Sequence, residues 1–511
     1  MNNFNQIITT ASLVIATAAC NSEQKNTTIT TVDSNSNGLI EISTIGDLDL
    51  IRGSLDGSSI DGNTEGCPSD GCIGFELTSD LDFDTNGDGK ITELDEYWNN
   101  GKGWESIGSV DNPFTGVFGG NGHEIRNLYI NGGSDIALFG VSEGAQFTNI
   151  ALKSFNISGG LEESRAGSLV SYARNTTIND CSASGSVSGS RAIGGLVSVI
   201  NEGVISNCTL DVVVNSTERT AGGLAALALN SEIEHITVSG SIQSDGHTVG
   251  GVIAMALEKS QLSYLSYRGT VKGSASVGGI TGAIEWSGLS NSYAYAEVSA
   301  REDSAGGLVG SIEDQSVIYQ SQAACSVSGQ SDVGGLVGYS NKGKIWNVTF
   351  TGDVTAEQNA GQLVGTMRGG QYNYTVTTGW PIESPSSNDY TSVGGLVGLD
   401  YSNVNFDSGK SLLELANESA RADWERMNSD KPLENYIGLT LDSQKRIFPD
   451  MGKWSLTPEE LTCPTAPDDH ECWSGGVLYT GWDPSIWDFG NQQQLPKLKG
   501  MPDPSCKHLD Q

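Results

Sequence analysis

Gly334-Gly335-Leu336-Val337-Gly338, then Ile345-Trp346-Asn347-Val348, then Gly352-Asp353-Val354: this stretch decides how the chain folds. Its Gly pair recurs at Gly194-Gly195, Gly222-Gly223, Gly250-Gly251, Gly278-Gly279 and Gly306-Gly307, each 28 residues from the next. Degenerate copies stand at Gly167-Ser168 and Gly361-Gln362, and a full copy returns at Gly394-Gly395. A fixed period of this length marks one structural unit stacked many times. Each apolar island within the unit is too short for a helix and is bounded by Gly, Ser, Asn or Asp, the pattern of short strands between turns. Three strands and three turns per unit predict a parallel β-solenoid of roughly ten coils, near 50 Å long at about 4.8 Å per coil.

The glycines are expected wherever a corner needs positive φ or neighbouring backbones approach closely. The polar residue two places after the repeated Ile or Leu is Asp180, Asn207, His235, Asn291 or Asn347. Stacking coil on coil would let these side chains hydrogen-bond as a ladder. His235 falls in that register and is read as a ladder member rather than a ligand or base.

Bulk composition narrows the function classes. The 511 residues carry 62 acidic and 27 basic side chains, a formal charge of −35, so nucleic acid and anionic lipid headgroups are poor partners. Residues 1–20 read as an export segment: an apolar run from Ile7 to Ala19 precedes Cys20, and Ala18-Ala19-Cys20 is similar to the lipobox of bacterial lipoproteins. That likeness implies lipidation at Cys20 and attachment to the outer membrane or cell surface, with simple secretion or a periplasmic location as alternatives. No later stretch is long and apolar enough to predict a membrane helix. Cysteine spacing predicts disulfides Cys67–Cys72 and Cys463–Cys472, with Cys506 a competitor for the second. Cys181 and Cys208, at one repeat position, are either bridged or stacked.

Cation chemistry is written most clearly in Asp84-Thr85-Asn86-Gly87-Asp88-Gly89-Lys90-Ile91-Thr92-Glu93-Leu94-Asp95. Oxygen donors at loop positions 1, 3 and 5, Gly at 6, an apolar residue at 8 and a carboxylate at 12 follow the order of an EF-hand-like Ca²⁺ loop. Asp84, Asn86, Asp88 and Asp95 supply side chains, Lys90 its carbonyl and Thr92 a direct or water-mediated contact. Asp at position 12 resembles dockerin-type loops. A second copy, Asp33-Ser34-Asn35-Ser36-Asn37-Gly38-Leu39-Ile40-Glu41, offers Asp33, Asn35, Asn37, the Leu39 position and Glu41. Its twelfth residue is Thr44, leaving Glu41 or Asp47 to supply the missing carboxylate. The alternative for both is a solvated Asp/Asn/Gly turn.

Gly-Gly-Leu-Val-Gly at 306, 334 and 394, with Phe114-Thr115-Gly116-Val117-Phe118-Gly119-Gly120-Asn121-Gly122-His123-Glu124-Ile125, resembles the GLUG-motif proteins of bacterial surfaces. The resemblance implies an all-β, right-handed parallel β-helix in an adhesin-like surface protein. Such repeats also occur beside the catalytic domain of some IgA-cleaving metallopeptidases, but this chain lacks His-Glu-x-x-His, so no peptidase chemistry carries over.

The expected layout is an export segment at 1–20, a calcium-loop and disulfide-bearing cap at 33–112, the repeat solenoid at 113–400 and a C-terminal cap at 401–511 with a short amphipathic helix at 411–427. The tail from Gly481 to Leu498 is expected to close the distal end with packed Trp residues. The leading functional expectation is adhesion to, or binding of, a glycan or a partner protein. One rival is a polysaccharide lyase or hydrolase using Glu285, Glu297, Asp303, Glu313 or Asp314, with Lys259, Arg268, Lys272 and Arg301 the nearby cations. The other is a structural spacer of the envelope. Trp286, Tyr293, Tyr295, Tyr319 and Trp346 recur on successive coils as a candidate sugar-stacking stripe. No residue is assigned a catalytic role.

Overall fold

The computed structural model describes residues 31–160 and 164–368, strands within 371–449, and segments within 463–499. Cys20, Cys506 and the helix expected at 411–427 lie outside the described residues. Parallel pairing organises almost everything else. Among the described residues, one sheet has ten parallel strands running from Phe139–Glu143 to Val397–Asp400, and a second, 29-stranded sheet wraps the remaining sides. Strand starts at Val170, Val197, Ala225, Ile253, Thr281, Val309, Val337 and Val364 step by 27 or 28 residues. The chain is therefore a parallel β-solenoid with about one coil per sequence repeat.

Each repeated apolar residue has one job in this geometry. Leu138, Leu169, Leu196, Leu224, Val252, Ile280, Leu308, Leu336 and Leu363 form one fully buried column. Their backbones are laddered, as in Leu196 N–H to Leu224 O at 3.0 Å and Leu308 N–H to Leu336 O at 3.0 Å. A second column, Ile178, Ile205, Ile233, Leu262, Leu289, Ile318 and Ile345, is equally buried. Each such side chain contributes up to about 2 kcal/mol, but only when the coils on both sides are present.

The repeated glycines answer a close approach. A Cβ on Gly250 would lie 1.8 Å from the Ile253 carbonyl oxygen, and one on Gly306 would lie 2.0 Å from that of Val309. The neighbouring backbone occupies the place of the side chain.

The polar column after Ile has a different cause from the ladder expected of it. Asn149, Asp180, Asn207, His235, Tyr264, Asn291, Gln320 and Asn347 all have φ between 45° and 60°. Asn is frequent there because it tolerates the left-handed region best among residues with a Cβ. The polar ladder lies instead in a buried Ser column. Ser231, Ser260, Ser287 and Ser316 each donate to a carbonyl of their own turn. The hydroxyls of Ser231, Ser260 and Ser316 also accept the N–H of Gly203, Ser231 and Ser287 from the preceding coil.

Parallel pairing begins well before the first clear repeat. Leu39–Ile42 pairs with Gly74–Leu77, which pairs with Val117–Gly119, which pairs with Gln146–Thr148. The six-residue helix Ile45–Leu50 packs Ile45 and Leu48 into the core, and Phe75, Phe114, Phe118, Phe139 and Phe147 fill the first coils. The Cys67–Cys72 disulfide closes a neighbouring loop. At the far end, Gly438–Leu441 pairs antiparallel with Ser392–Gly394 and with Arg446–Pro449, so one reversed strand and its hairpin partner cover an edge that parallel coils would leave open.

The tail lies elsewhere than expected. Tyr479, Trp482, Trp487, Phe489 and Leu498 form a buried aromatic cluster against Tyr293, on the flank of the solenoid rather than across its distal end. Cys463 and Cys472 are bonded, as their spacing predicts.

Candidate functional site

Alternation along the long strands sends one residue inward and the next outward, and register stacks the outward ones into rows. Ser182, Ser184, Ser186 and Ser188 lie beside Thr209, Asp211, Val213 and Asn215. These lie beside Thr237, Ser239, Ser241 and Gln243, and then Ser266, Arg268, Thr270 and Lys272. Hydrogen bonds cross the rows: Ser239 Oγ donates to Asp211 Oδ1 at 2.9 Å, Ser266 Oγ to Thr237 Oγ1 at 3.0 Å, and Thr270 Oγ1 to Ser241 Oγ at 3.1 Å. The result is a flank rich in short hydroxyl and amide side chains, with Asp211, Arg268, Lys272 and the apolar Val213 among them and Ser266 buried at 5 % exposure. Sequence reasoning misses this flank, because its residues look like ordinary strand filler until register places them side by side.

The aromatic stripe expected from sequence is not one open surface. Tyr295 is 6 % exposed, and Tyr293 packs against both Tyr295 and the C-terminal cluster. In the next coils Gln322 and Thr349 are also buried at outward positions. Among the stripe residues Trp286 is the exposed one, at 51 %. Tyr264, not part of the expected stripe, stacks on His235 with ring centroids 4.7 Å apart.

The carboxylates of the rival enzymatic reading do not converge as one set. Glu285 is in register with Glu313, which accepts from Asn341 Nδ2 at 2.9 Å, and Asp314 lies 3.8 Å from Lys342. Glu297 sits on the outward face between Thr270 and Ser326, and Asp303 lies near a later corner, in register with Ser331. Burial, reinforced by Asp332 and Glu302, pushes the Asp303 carboxyl above its usual range. Of the four cations, Arg301 is held by Asp245 at 3.0 Å. His123, in the Gly-Asn-Gly-His turn, faces Asp80 through Nδ1 at 3.4 Å.

In the loop 84–95, Asp84 Oδ1 accepts from the N–H of Gly87 and Asp88, and Oδ2 from Gly89. Asn86 and Asp88 accept from the N–H groups of Asp88 and Lys90. Asp95, only 5 % exposed, folds back to accept from Thr92 N, Asn86 N and the Thr85 hydroxyl. The Thr92 N–H is the main reason its carboxyl is held below the usual carboxylate range. The donors are all hard oxygens, the chemistry Ca²⁺ prefers, and each carboxylate retains acceptor capacity beyond these bonds. Among the described residues, no three His, Cys, Asp or Glu side chains converge closely enough to form a metal cluster by themselves.

The loop 33–41 departs from the sequence expectation in an informative way. Asp33 is 1 % exposed and accepts from Asn37 N and Gly38 N. Thr44, the twelfth residue, is instead the N-cap of helix Ile45–Leu50, and Asp47 is spent on its capping box with Ser43 and Thr44. Glu41 accepts from the Ser34 N–H and hydroxyl. The carboxylate that does arrive is Glu76, 5 % exposed on strand Gly74–Leu77. Its Oε1 accepts from Asn35 Nδ2 at 2.9 Å and Asn37 Nδ2 at 3.0 Å. No local sequence pattern marks Glu76; the parallel pairing that sets it opposite Glu41 brings it there.

Known proteins can be set beside this geometry. The GLUG motif matches residues 329–355. Over 129 residues the chain is 31 % identical to Halomucin of Haloquadratum walsbyi, a stretch that makes up 24 % of this chain and 1 % of that protein. The chain thus spans a very small part of that relative. A crystal structure assigned as an immunoglobulin A1 protease from Bacteroides ovatus has 19 % identity and a TM-score of 0.38, covering 56 % of this chain and 75 % of that one. A structure named IgA1 Protease has 16 % identity and a TM-score of 0.35, covering 82 % and 26 %. This chain carries the GLUG motif on the very coil whose sequence defines its repeat.

Proposed function

We propose that the chain is an exported, lipid-anchored surface protein whose solenoid presents its hydroxyl-rich flank to a glycan or a partner protein, with Ca²⁺ bracing the first coils. The observation that carries this reading is the four registered rows from Ser182 to Lys272. A polymer of sugar units offers hydroxyls at a comparable repeat, and many weak hydrogen bonds along a rigid face add through effective concentration. Asp84, Asn86, Asp88, Asp95 and the Lys90 carbonyl would hold one cation, with Thr92 direct or through water. Asp33, Asn35, Asn37 and the Leu39 carbonyl would hold a second, with Glu76 as the carboxylate from the next coil and Glu41 at the rim. Bound there, Ca²⁺ supplies charge neutralisation and cross-linking of loop to strand.

The test is a screen of residues 21–511 against glycans and cell surfaces, with and without EGTA, with released sugar assayed in the same wells. Retention without product, lost in Thr237→Arg and Ser241→Arg variants that keep their circular dichroism, supports the reading. Product release replaces it with a β-helix enzyme, and silence in both channels favours a spacer. Lipid attachment is checked by acyl labelling of the exported chain, which Cys20→Ala should abolish.

A further inference from the structure

The repeat position shared by Cys181 and Cys208 allows either a bridge or a stack, and register narrows the choice. The pairs on either side of them are aligned, Asn179 with Ser206 and Ser182 with Thr209, so the two cysteines face each other from successive coils. Above and below, the same column holds buried Ile150 and Ile236. Adjacent parallel strands lie about 4.8 Å apart. That spacing falls within the range of roughly 4.4–6.8 Å over which Cα atoms accept a disulfide, and closure draws the two Cβ atoms together to about 3.5–4.5 Å. The two side chains are not bonded to each other in this structure and are 3 % and 1 % exposed. Each Sγ–H has turned to a carbonyl of its own turn, Cys181 to Asn179 O at 3.4 Å and Cys208 to Ser206 O at 3.2 Å. Apart from these weak bonds, each side chain fills the place that Ile150 and Ile236 fill in the same column.

We propose that Cys181 and Cys208 close a disulfide between successive coils when the chain folds in the presence of a disulfide-class oxidant. The step balances as thiol–disulfide exchange. One cysteine, as thiolate, attacks the oxidant's disulfide and releases one thiol, and the second then attacks the mixed disulfide and releases the other. Two Sγ–H bonds are lost, one S–S bond forms, and the oxidant leaves as two thiols. The adjacent Cys208 thiol and burial hold the Cys181 thiol well above its usual range, so the folded coil offers little thiolate. Closure therefore belongs to folding, before the column is sealed. The two disulfides among the described residues close local loops across sequence separations of 5 and 9, whereas this one would tie one coil of the repeat to the next.

The proposal takes its oxidising setting from the export reading, but a refolding assay supplies the oxidant itself, so the two fail separately. The full chain is reduced and denatured, refolded in oxidised and reduced glutathione, alkylated under denaturing conditions and mapped by mass spectrometry without reductant. The expected result is a linked pair of peptides carrying Cys181 and Cys208, lighter by two hydrogens and free of alkyl groups, in most molecules whose Cys67–Cys72 bond has formed. Alkyl groups on both residues in those molecules overturn the proposal, as does linkage of either one to Cys325 or Cys506. In Cys208→Ser, Cys181 should become fully alkylated. Should that variant fail to fold, the wild-type map alone decides.

Discussion

Trp286 sits at φ 51° and is 51 % exposed, in a backbone conformation that costs a residue with a Cβ about 1 kcal/mol. Trp286→Gly should raise the denaturant midpoint by an amount worth about 1 kcal/mol. A fall would mean the indole packs more than its exposure indicates. Gly250 makes the opposite case, since a methyl there would meet the Ile253 carbonyl at 1.8 Å. Gly250→Ala is expected to cost more than about 3 kcal/mol, as overpacking against backbone has no side chain to move aside. Gly53 is the control and should tolerate Ala, because a Cβ added there would meet nothing within 4 Å. Equal losses at both sites would show that the glycines are kept for flexibility rather than for close approach.

At the level of one element, the buried Ser column joins coils through side chains as the ladders join them through backbone. Ser260 Oγ donates to Leu257 O at 2.7 Å and accepts from Ser231 N at 3.2 Å. Ser260→Ala should cost about 1–3 kcal/mol by stranding that N–H, read in a denaturant titration, with faster hydrogen exchange at Ser231. The first coils have their own test. If Ca²⁺ fills the 33–41 loop through Glu76, its addition raises the melting temperature of the wild type, and Glu76→Gln removes part of that shift while Asp84→Asn removes another part. An unchanged shift in Glu76→Gln would return Glu76 to a purely structural partner of Asn35 and Asn37.

Across the whole molecule, charge and protonation are distributed unevenly. Asp56, Asp80 and Asp95 all have carboxyls held below their usual range, chiefly by the N–H groups of Ser58, Glu124 and Thr92. Lowered folded values mean their contribution is complete above about pH 4, the unfolded range, and is lost as pH falls through the lower folded values. Asp303 is raised by burial, so its ionised form opposes folding at neutral pH and that opposition is relieved on acidification. Hydrogen exchange below about pH 4 should therefore open the first coils before those around Asp303. The reverse order would show that other groups govern acid stability.

Period, strand content and the bonded pairs Cys67–Cys72 and Cys463–Cys472 were all legible in the sequence, because a solenoid repeats one local solution and short loops bring their own cysteines together. The Asn column was legible as a position but not as a cause: its common property is φ, which a letter pattern does not carry. Tertiary structure alone decided that Glu76 lies beside Asn35 and Asn37, that Thr44 caps a helix, and that the tail's Trp residues cover Tyr293. It also assembled the hydroxyl-rich flank from residues nearly 30 positions apart. The physical reason is the same in each case. Within a coil, local pattern fixes the strand and its inward face, whereas which outward side chains become neighbours depends on the register between coils and on how the non-repeating ends pack.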